Sequence, residues 1–167
     1  MHNEVLTYVA EVVEHYHLQD QSVFEIGSRD VNGSARQFFT GPYFGIDIAE
    51  GPGVDLVVDG AQYQPTESYD VAICTEVFEH TDKWRDLLTT MALALRPGGV
   101  FIITCATTGR NPHSAIDGGA LRPGEHYYNP SPSELGAELS LYAFNVSYVV
   151  NDPGHGGDFY AHGFRKA

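Results

Sequence analysis

Apolar positions along this chain alternate between helical and strand rhythms. Val5, Leu6, Val9, Val12, Val13 and Tyr16 recur at helical spacing and predict an amphipathic helix over residues 3–17. The compact run Val23–Ile26 predicts a first strand. Ala35–Phe39 reads as a short helix stopped by Gly41-Pro42. Tyr43–Ile46, ending at Asp47, predicts a second strand, and Val54–Val58, ending at Asp59, a third. Tyr69–Cys74 predicts a fourth. Trp84, Leu87, Leu88, Met91, Ala92 and Leu95 form a helical stripe. Arg96-Pro97-Gly98-Gly99 ends that helix before a fifth strand, Val100–Thr104.

From Thr107 to Pro130 no periodicity is sustained, and a stretch of that length is commonly functional or disordered. Ser131–Leu141 then reads as a helix with Ser131 or Ser133 near its cap. Phe144–Val150 and Asp158–Phe164 follow as two strands. The link between them, Asp152 to Gly157, is too short for a crossover, so these strands should run antiparallel. There is no repeat and no linker. The expectation is one domain over residues 1–167: a three-layer, doubly wound, Rossmann-like α/β sheet, mostly parallel, with an antiparallel C-terminal hairpin strand.

The first strand and its turn, SVFEIGSRDVNGS from Ser22 to Ser34, carry the strongest local signal. A polar residue at the end of a buried strand, followed by glycines, is how such a sheet builds a nucleotide-sized crevice. Gly27 has no Cβ to hold a ligand away from the backbone.

Charge narrows the choice of ligand. Nine Lys+Arg against 22 Asp+Glu give a formal net charge of −13. So acidic a chain repels phosphate backbones and argues against DNA or long RNA. Cys74 and Cys105, the only cysteines, sit in apolar runs, which fits buried thiols in a reducing compartment. Glu4, Glu11 and Glu14 interrupt any apolar leader, and no stretch is apolar enough to span a bilayer. A cytoplasmic location and no membrane partner are the resulting expectations.

Taken together the motifs resemble the small type 11 class I S-adenosylmethionine-dependent methyltransferases. VFEIGSRDVNG resembles the glycine-rich first motif, YFGID the second, VDLVVDGA the third and YDVAICTEVFEH the fourth. LRPGGVFIIT resembles the strand after the helix. The match covers residues 20–105, with a weaker echo in HYYNPSPSEL. One departure is Arg29, which stands where the family commonly has its second glycine. The resemblance implies S-adenosylmethionine as methyl donor. It assigns Asp47 to the ribose hydroxyls and Asp59, with Gly60 and Ala61, to the adenine edge. Glu25 and Gly27 fall to the amino-acid tail, and Ser28, Arg29, Gly33, Ile48, Thr75 and Glu76 to the rest of the cofactor pocket.

Methyl transfer from a sulfonium needs orientation and a dry site, with a base where the nucleophile is a hydroxyl. Glu76-Val77-Phe78-Glu79-His80 supplies the candidates. In a helical turn, positions i, i+3 and i+4 share a face, so Glu76, Glu79 and His80 would converge. His80 and Glu79 are the catalytic candidates, with the acidic setting expected to raise the His80 pKa. The same run resembles the divalent-metal motif of ubiquinone-biosynthesis O-methyltransferases and of small-RNA terminal 2′-O-methyltransferases. That resemblance implies Mg²⁺ or Mn²⁺ on Glu76, Glu79 and His80, with His126 or His113 as a further ligand. Metal-free relatives with the same run leave the question open.

His2, His15 and His17 read as solvated, His155 as a hairpin residue and His162 as a strand residue. His113 and His126 belong to the irregular segment expected over the open end of the sheet. Tyr127 and Tyr128 beside them either stack on an acceptor or cap the core.

The leading expectation is O-methylation of a small molecule or sugar by a monomer or homodimer. A non-catalytic, cofactor-binding interaction module and a metal-dependent RNA-terminal 2′-O-methyltransferase are the alternatives. A nicotinamide oxidoreductase is disfavoured because G-x-G-x-x-G is absent after the first strand.

Overall fold

A computed structural model describes residues 3–151 and 157–167. His2, His155 and the link from Asp152 to Gly156 lie outside the described residues.

Among the described residues the strands are β1 (Val23–Ile26), β2 (Tyr43–Asp47), β3 (Leu56–Val57), β4 (Tyr69–Thr75), β5 (Leu95–Ala106), β6 (Ala143–Asn151) and β7 (Asp158–Arg165). They form one sheet in the order β3-β2-β1-β4-β5-β7-β6. β1 to β5 pair in parallel, whereas β7 runs antiparallel to both β5 and β6. The expected antiparallel C-terminal hairpin is therefore present.

Helices cover both faces. On one side α1 (Asn3–His15) packs Val5, Val9, Val12 and Val13 against Val23, Val71, Ile73, Val100 and Ile102. Tyr8 and Tyr16 also hydrogen-bond the two ring nitrogens of His162, at 2.9 Å and 3.1 Å, which fastens α1 to β7. On the other side α2 (Trp84–Ala94) and α3 (Pro132–Tyr142) bury Trp84, Leu88, Met91, Leu135 and Leu139 against Phe24, Ile26, Ala72 and Phe101. Ser131 caps α3 in a reciprocal capping box with Glu134.

Four elements differ from the sequence expectation. α1 stops at His15, where the chain turns through His17 at φ 55°. Residues Ala35–Phe38 make one 3₁₀ turn rather than an α-helix, capped by Ser34. β3 shrinks to Leu56–Val57, because the Asp55 carboxylate takes the Gly45 backbone N–H at 2.7 Å and stands in for a ladder bond. β5 begins directly at Leu95, with a register irregularity against β4 in place of a clean turn-then-strand boundary. Residues 107–130 form no helix or strand, as expected.

Candidate functional site

The parallel strands end together at one edge of the sheet, and a cleft of about 1250 Å³ opens there. Its walls come from Gly27, Arg29, Val31–Gly33, Asp47–Ala49, Val58–Gly60, Thr75–Val77, His80–Lys83 and Arg110–Ala120.

The glycine loop is built by hydrogen bonds to its neighbours. Gly27 and Ser28 donate to the Ile46 carbonyl, Asp30 to the Pro52 carbonyl, and Gly33 to the Asp30 side chain at 2.7 Å. Gly27 has φ 80° and Gly33 φ 124°, conformations that favour glycine. Position 29 is not among the positive-φ residues, so arginine is accommodated there without strain. Asp30, which sequence reasoning passed over, replaces the missing second glycine as the organiser of the turn.

Asp47, at the tip of β2, already orders this loop: it accepts from Arg29 N at 3.2 Å and Ala49 N at 2.9 Å. Asp59 accepts from Ala61 N at 2.9 Å and from Lys83 Nζ at 2.8 Å. The Lys83 hydrogen bond holds its carboxyl below the usual range. No sequence signal marked Lys83. Gly27, Arg29, Gly33, Asp47, Ile48, Asp59, Gly60, Thr75 and Glu76 all line the cleft. Thr75 Oγ1 is buried there with no hydrogen-bond partner among the described residues.

Three expected cofactor contacts lie elsewhere. Glu25 is 1% exposed and bonds the Tyr43 hydroxyl at 2.7 Å; burial pushes its carboxyl up to about 7. Strand alternation turns it toward the α1 side of the sheet, away from the cleft. Ser28 is buried against Gly45. Ala61 spends its N–H on Asp59 and stays out of the cleft wall.

The Glu76–His80 run is not one helical turn. Glu76 has φ 58° and accepts from the Thr104 hydroxyl at 3.0 Å, and only Phe78–His80 is 3₁₀. The left-handed residue breaks the i, i+3, i+4 face, so Glu76 separates from the other two. Instead Glu79, His80 and His113 gather, each with one ligand atom within 4.8 Å of the others. The His80 ring meets those of His113 and Tyr127 edge-on, at 5.0 Å and 5.4 Å between centroids. His126 is exposed and outside this group.

The electrostatics also reverse an expectation. Burial, and then the neighbouring His113, pull the His80 imidazole down to about 4, outweighing the acidic residues nearby. Its Nδ1 is buried without a partner among the described residues. Glu79 is fully buried, outside the cleft wall, with one oxygen on the Ala106 N–H and the other unpaired. Burial and the charge of Glu76 push its carboxyl well up. Tyr127 stands behind the two histidines, and Tyr128 is exposed, bonded to Glu134 beside the α3 cap. Neither tyrosine lines the cleft. The irregular segment is held down by bonds from Tyr128 N to the Glu79 carbonyl and from Asn129 to the Arg110 carbonyl.

This geometry agrees with the comparisons to known proteins. Residues 10–149 match the methyltransferase-domain family. The chain belongs to that family and is a class I S-adenosylmethionine-dependent methyltransferase. No curated protein matches it. Among solved structures it is similar in fold to a 1,6-didemethyltoxoflavin-N1-methyltransferase from Burkholderia thailandensis holding its substrate and S-adenosylhomocysteine. That pair has TM-score 0.71 and 14% identity, covering 98% of this chain and 79% of that one. The N-methyltransferase NodS from Bradyrhizobium japonicum, with S-adenosylhomocysteine, gives TM-score 0.68 and 13% identity over 98% and 87%. A Haemonchus contortus phosphoethanolamine N-methyltransferase with S-adenosylmethionine gives 0.72 and 13% over 96% and 52%. Among the described residues no helix is long and apolar enough to cross a membrane.

Proposed function

We propose that this methyltransferase transfers a methyl group from S-adenosylmethionine to a hydroxyl of a small molecule or sugar. The observation that carries the reading is the cleft itself. It runs from the Asp47 and Asp59 carboxylates to His80 and His113, and it exceeds the roughly 300–1,000 Å³ of an ordinary single-ligand pocket. It therefore has room for an acceptor beside the nucleoside.

Asp47 is the ribose-binding group, because a carboxylate at that strand tip accepts from both hydroxyls of a diol. Asp59 and the Gly60 backbone face the adenine edge, and Thr75 lines the cleft beside Glu76. The donor supplies a methyl already activated on a sulfonium, so the chain's task is in-line alignment. His80 performs it: a neutral imidazole on the cleft wall accepts the acceptor hydroxyl's hydrogen bond and orients an oxygen lone pair. The new C–O bond forms as the C–S bond breaks, sulfur keeps the electron pair and the hydroxyl proton leaves to solvent. His80 lines the cleft and Glu79 does not, so His80 is the catalytic candidate of the two.

A second reading rests on Glu79, His80 and His113. Glu79 Oε2 and His80 Nδ1 are both unpaired, and His113 keeps Nε2 after pairing Nδ1 with the Asn111 carbonyl at 3.1 Å. One carboxylate and two imidazoles suit Mn²⁺, Fe²⁺ or Zn²⁺ better than Mg²⁺. Glu76 and His126 are not in this donor set. An RNA-terminal acceptor fits this reading less well, given the net charge of −13.

Calorimetry with S-adenosylhomocysteine, followed by methyl-transfer assays on hydroxylated acceptors, tests the primary reading. Absence of cofactor binding would leave only a non-catalytic module of this fold. Mn²⁺ titration followed by electron paramagnetic resonance tests the second, which fails if His113→Ala leaves the signal unchanged.

A further inference from the structure

Arg110 stands at the base of the irregular segment and lines the cleft together with His80 and His113. Its backbone is fixed on both sides. The Arg110 N–H donates to the Thr107 carbonyl at 3.1 Å, and the Asn129 amide donates to the Arg110 carbonyl at 2.7 Å. Thr107 is fully buried, and its own N–H donates to the Gly157 carbonyl. Behind the guanidinium lies Asp158, on β7 and 2% exposed. The contact is made by Nη1, which lies 3.2 Å from each carboxylate oxygen. Nε and Nη2 make no hydrogen bond among the described residues, and the side chain keeps 25% of its surface exposed. The Nε–Nη2 edge is the side-on fork that matches both oxygens of a carboxylate.

We infer that Arg110 selects the acceptor, and that the acceptor carries a carboxylate near the hydroxyl to be methylated. The inference rests on the reading of the cleft as a hydroxyl-methylating site. A pair serving only to fasten the segment to β7 would be held better through the fork, which adds geometric specificity as well as energy. Here the fork is left unused at a cleft wall. The other two cations of the cleft are placed differently: Lys83 is spent on Asp59, and Arg29 belongs to the glycine loop. Asp158 and the pinned backbone hold the guanidinium in place, so a ligand meets donors that are already ordered. Asp158 also balances the Arg110 charge, and the Glu76 and Asp117 carboxylates line the same cleft. A single negative charge at the fork is tolerated in that field, whereas a phosphate dianion is repelled.

Titration calorimetry with two matched pairs tests it: 4-hydroxybenzoate against 4-hydroxybenzamide, and glucuronate against glucose. Each is titrated into the chain with and without S-adenosylhomocysteine. In at least one pair the carboxylate should bind about tenfold or more tightly than its neutral twin, the scale of charge-assisted hydrogen bonds. Arg110→Lys keeps a cation over Asp158 and loses the fork. It should cut that preference by about tenfold, with thermal midpoint and S-adenosylhomocysteine affinity near wild type. Arg110→Gln/Asp158→Asn removes both charges together, so no bare carboxylate is left buried, and it should abolish the preference. Equal affinities within both pairs, or no binding of either carboxylate, overturn the inference. An undiminished preference in either folded variant overturns it as well, and so does tighter binding of inorganic phosphate than of either carboxylate. If S-adenosylhomocysteine itself fails to bind, the methyl-transfer reading falls, while the titrations of the ligand-free chain still decide the role of Arg110.

Discussion

Gly27 and Val77 face each other across the mouth of the cleft so closely that a Cβ on Gly27 would sit 2.3 Å from Val77 Cγ2. The first strand's turn and the fourth strand's exit are thereby locked together, and the missing side chain is what lets them approach. Gly27→Ala should cost about 2–4 kcal/mol, combining a left-handed backbone penalty with overpacking. Urea denaturation measures this. Gly27→Ala/Val77→Ala should recover the packing part and leave the backbone part. Equal costs for the single and double variants would show that the contact does not matter.

Asp47 and Asp59 differ in what they already hold, and their variants should differ accordingly. Asp47→Ala should weaken S-adenosylhomocysteine binding by roughly tenfold to hundredfold, the range for losing charge-assisted hydrogen bonds. Lys83→Met breaks an ion pair whose partners are 46% and 34% exposed. It should shift stability by less than about 1 kcal/mol. Ligand affinity in Lys83→Met should stay within about threefold of wild type, well below one tenfold step of about 1.4 kcal/mol. Calorimetry and thermal denaturation check both, and a large loss of affinity in Lys83→Met would assign Lys83 itself to the ligand.

His80→Ala should lower kcat by about 10²-fold, the scale for losing alignment of a reacting group, while S-adenosylhomocysteine affinity holds. Isotope-labelled methyl transfer and calorimetry on the same preparation separate the two. Equal loss of both would make His80 a structural residue of the cleft wall.

Glu25 gives a pH signature of stability. Its carboxyl is ordinarily near 4.5 and is raised to about 7 by burial, so the folded chain keeps this proton longer than the unfolded chain. The stabilisation is complete below the unfolded value and is lost as pH rises toward the folded one, by roughly 3 kcal/mol in all. Glu25→Gln keeps an acceptor for the Tyr43 hydroxyl and removes the titration. Denaturant midpoints at about pH 5 and pH 8 should therefore converge in Glu25→Gln relative to wild type. Parallel curves for the two proteins would mean that Glu25 is ionised throughout.

The order of helices and strands, the antiparallel hairpin and the positions of Asp47, Asp59 and Gly27 at strand tips are all legible in the linear chain. Those features are local: apolar periodicity, glycine turns and a carboxylate at the end of a buried run act within a few residues. Packing settled what depends on distant partners. Strand alternation and Tyr43 drew Glu25 under the sheet, and the Asp55 side chain shortened β3. A left-handed Glu76 split the Glu-x-x-Glu-His run, so that Glu79 and His80 met His113 from a segment with no periodicity. Burial, rather than the count of nearby acids, set the sign of the His80 shift. Desolvation and pairing are properties of the packed interior, and a linear string of residues does not contain them.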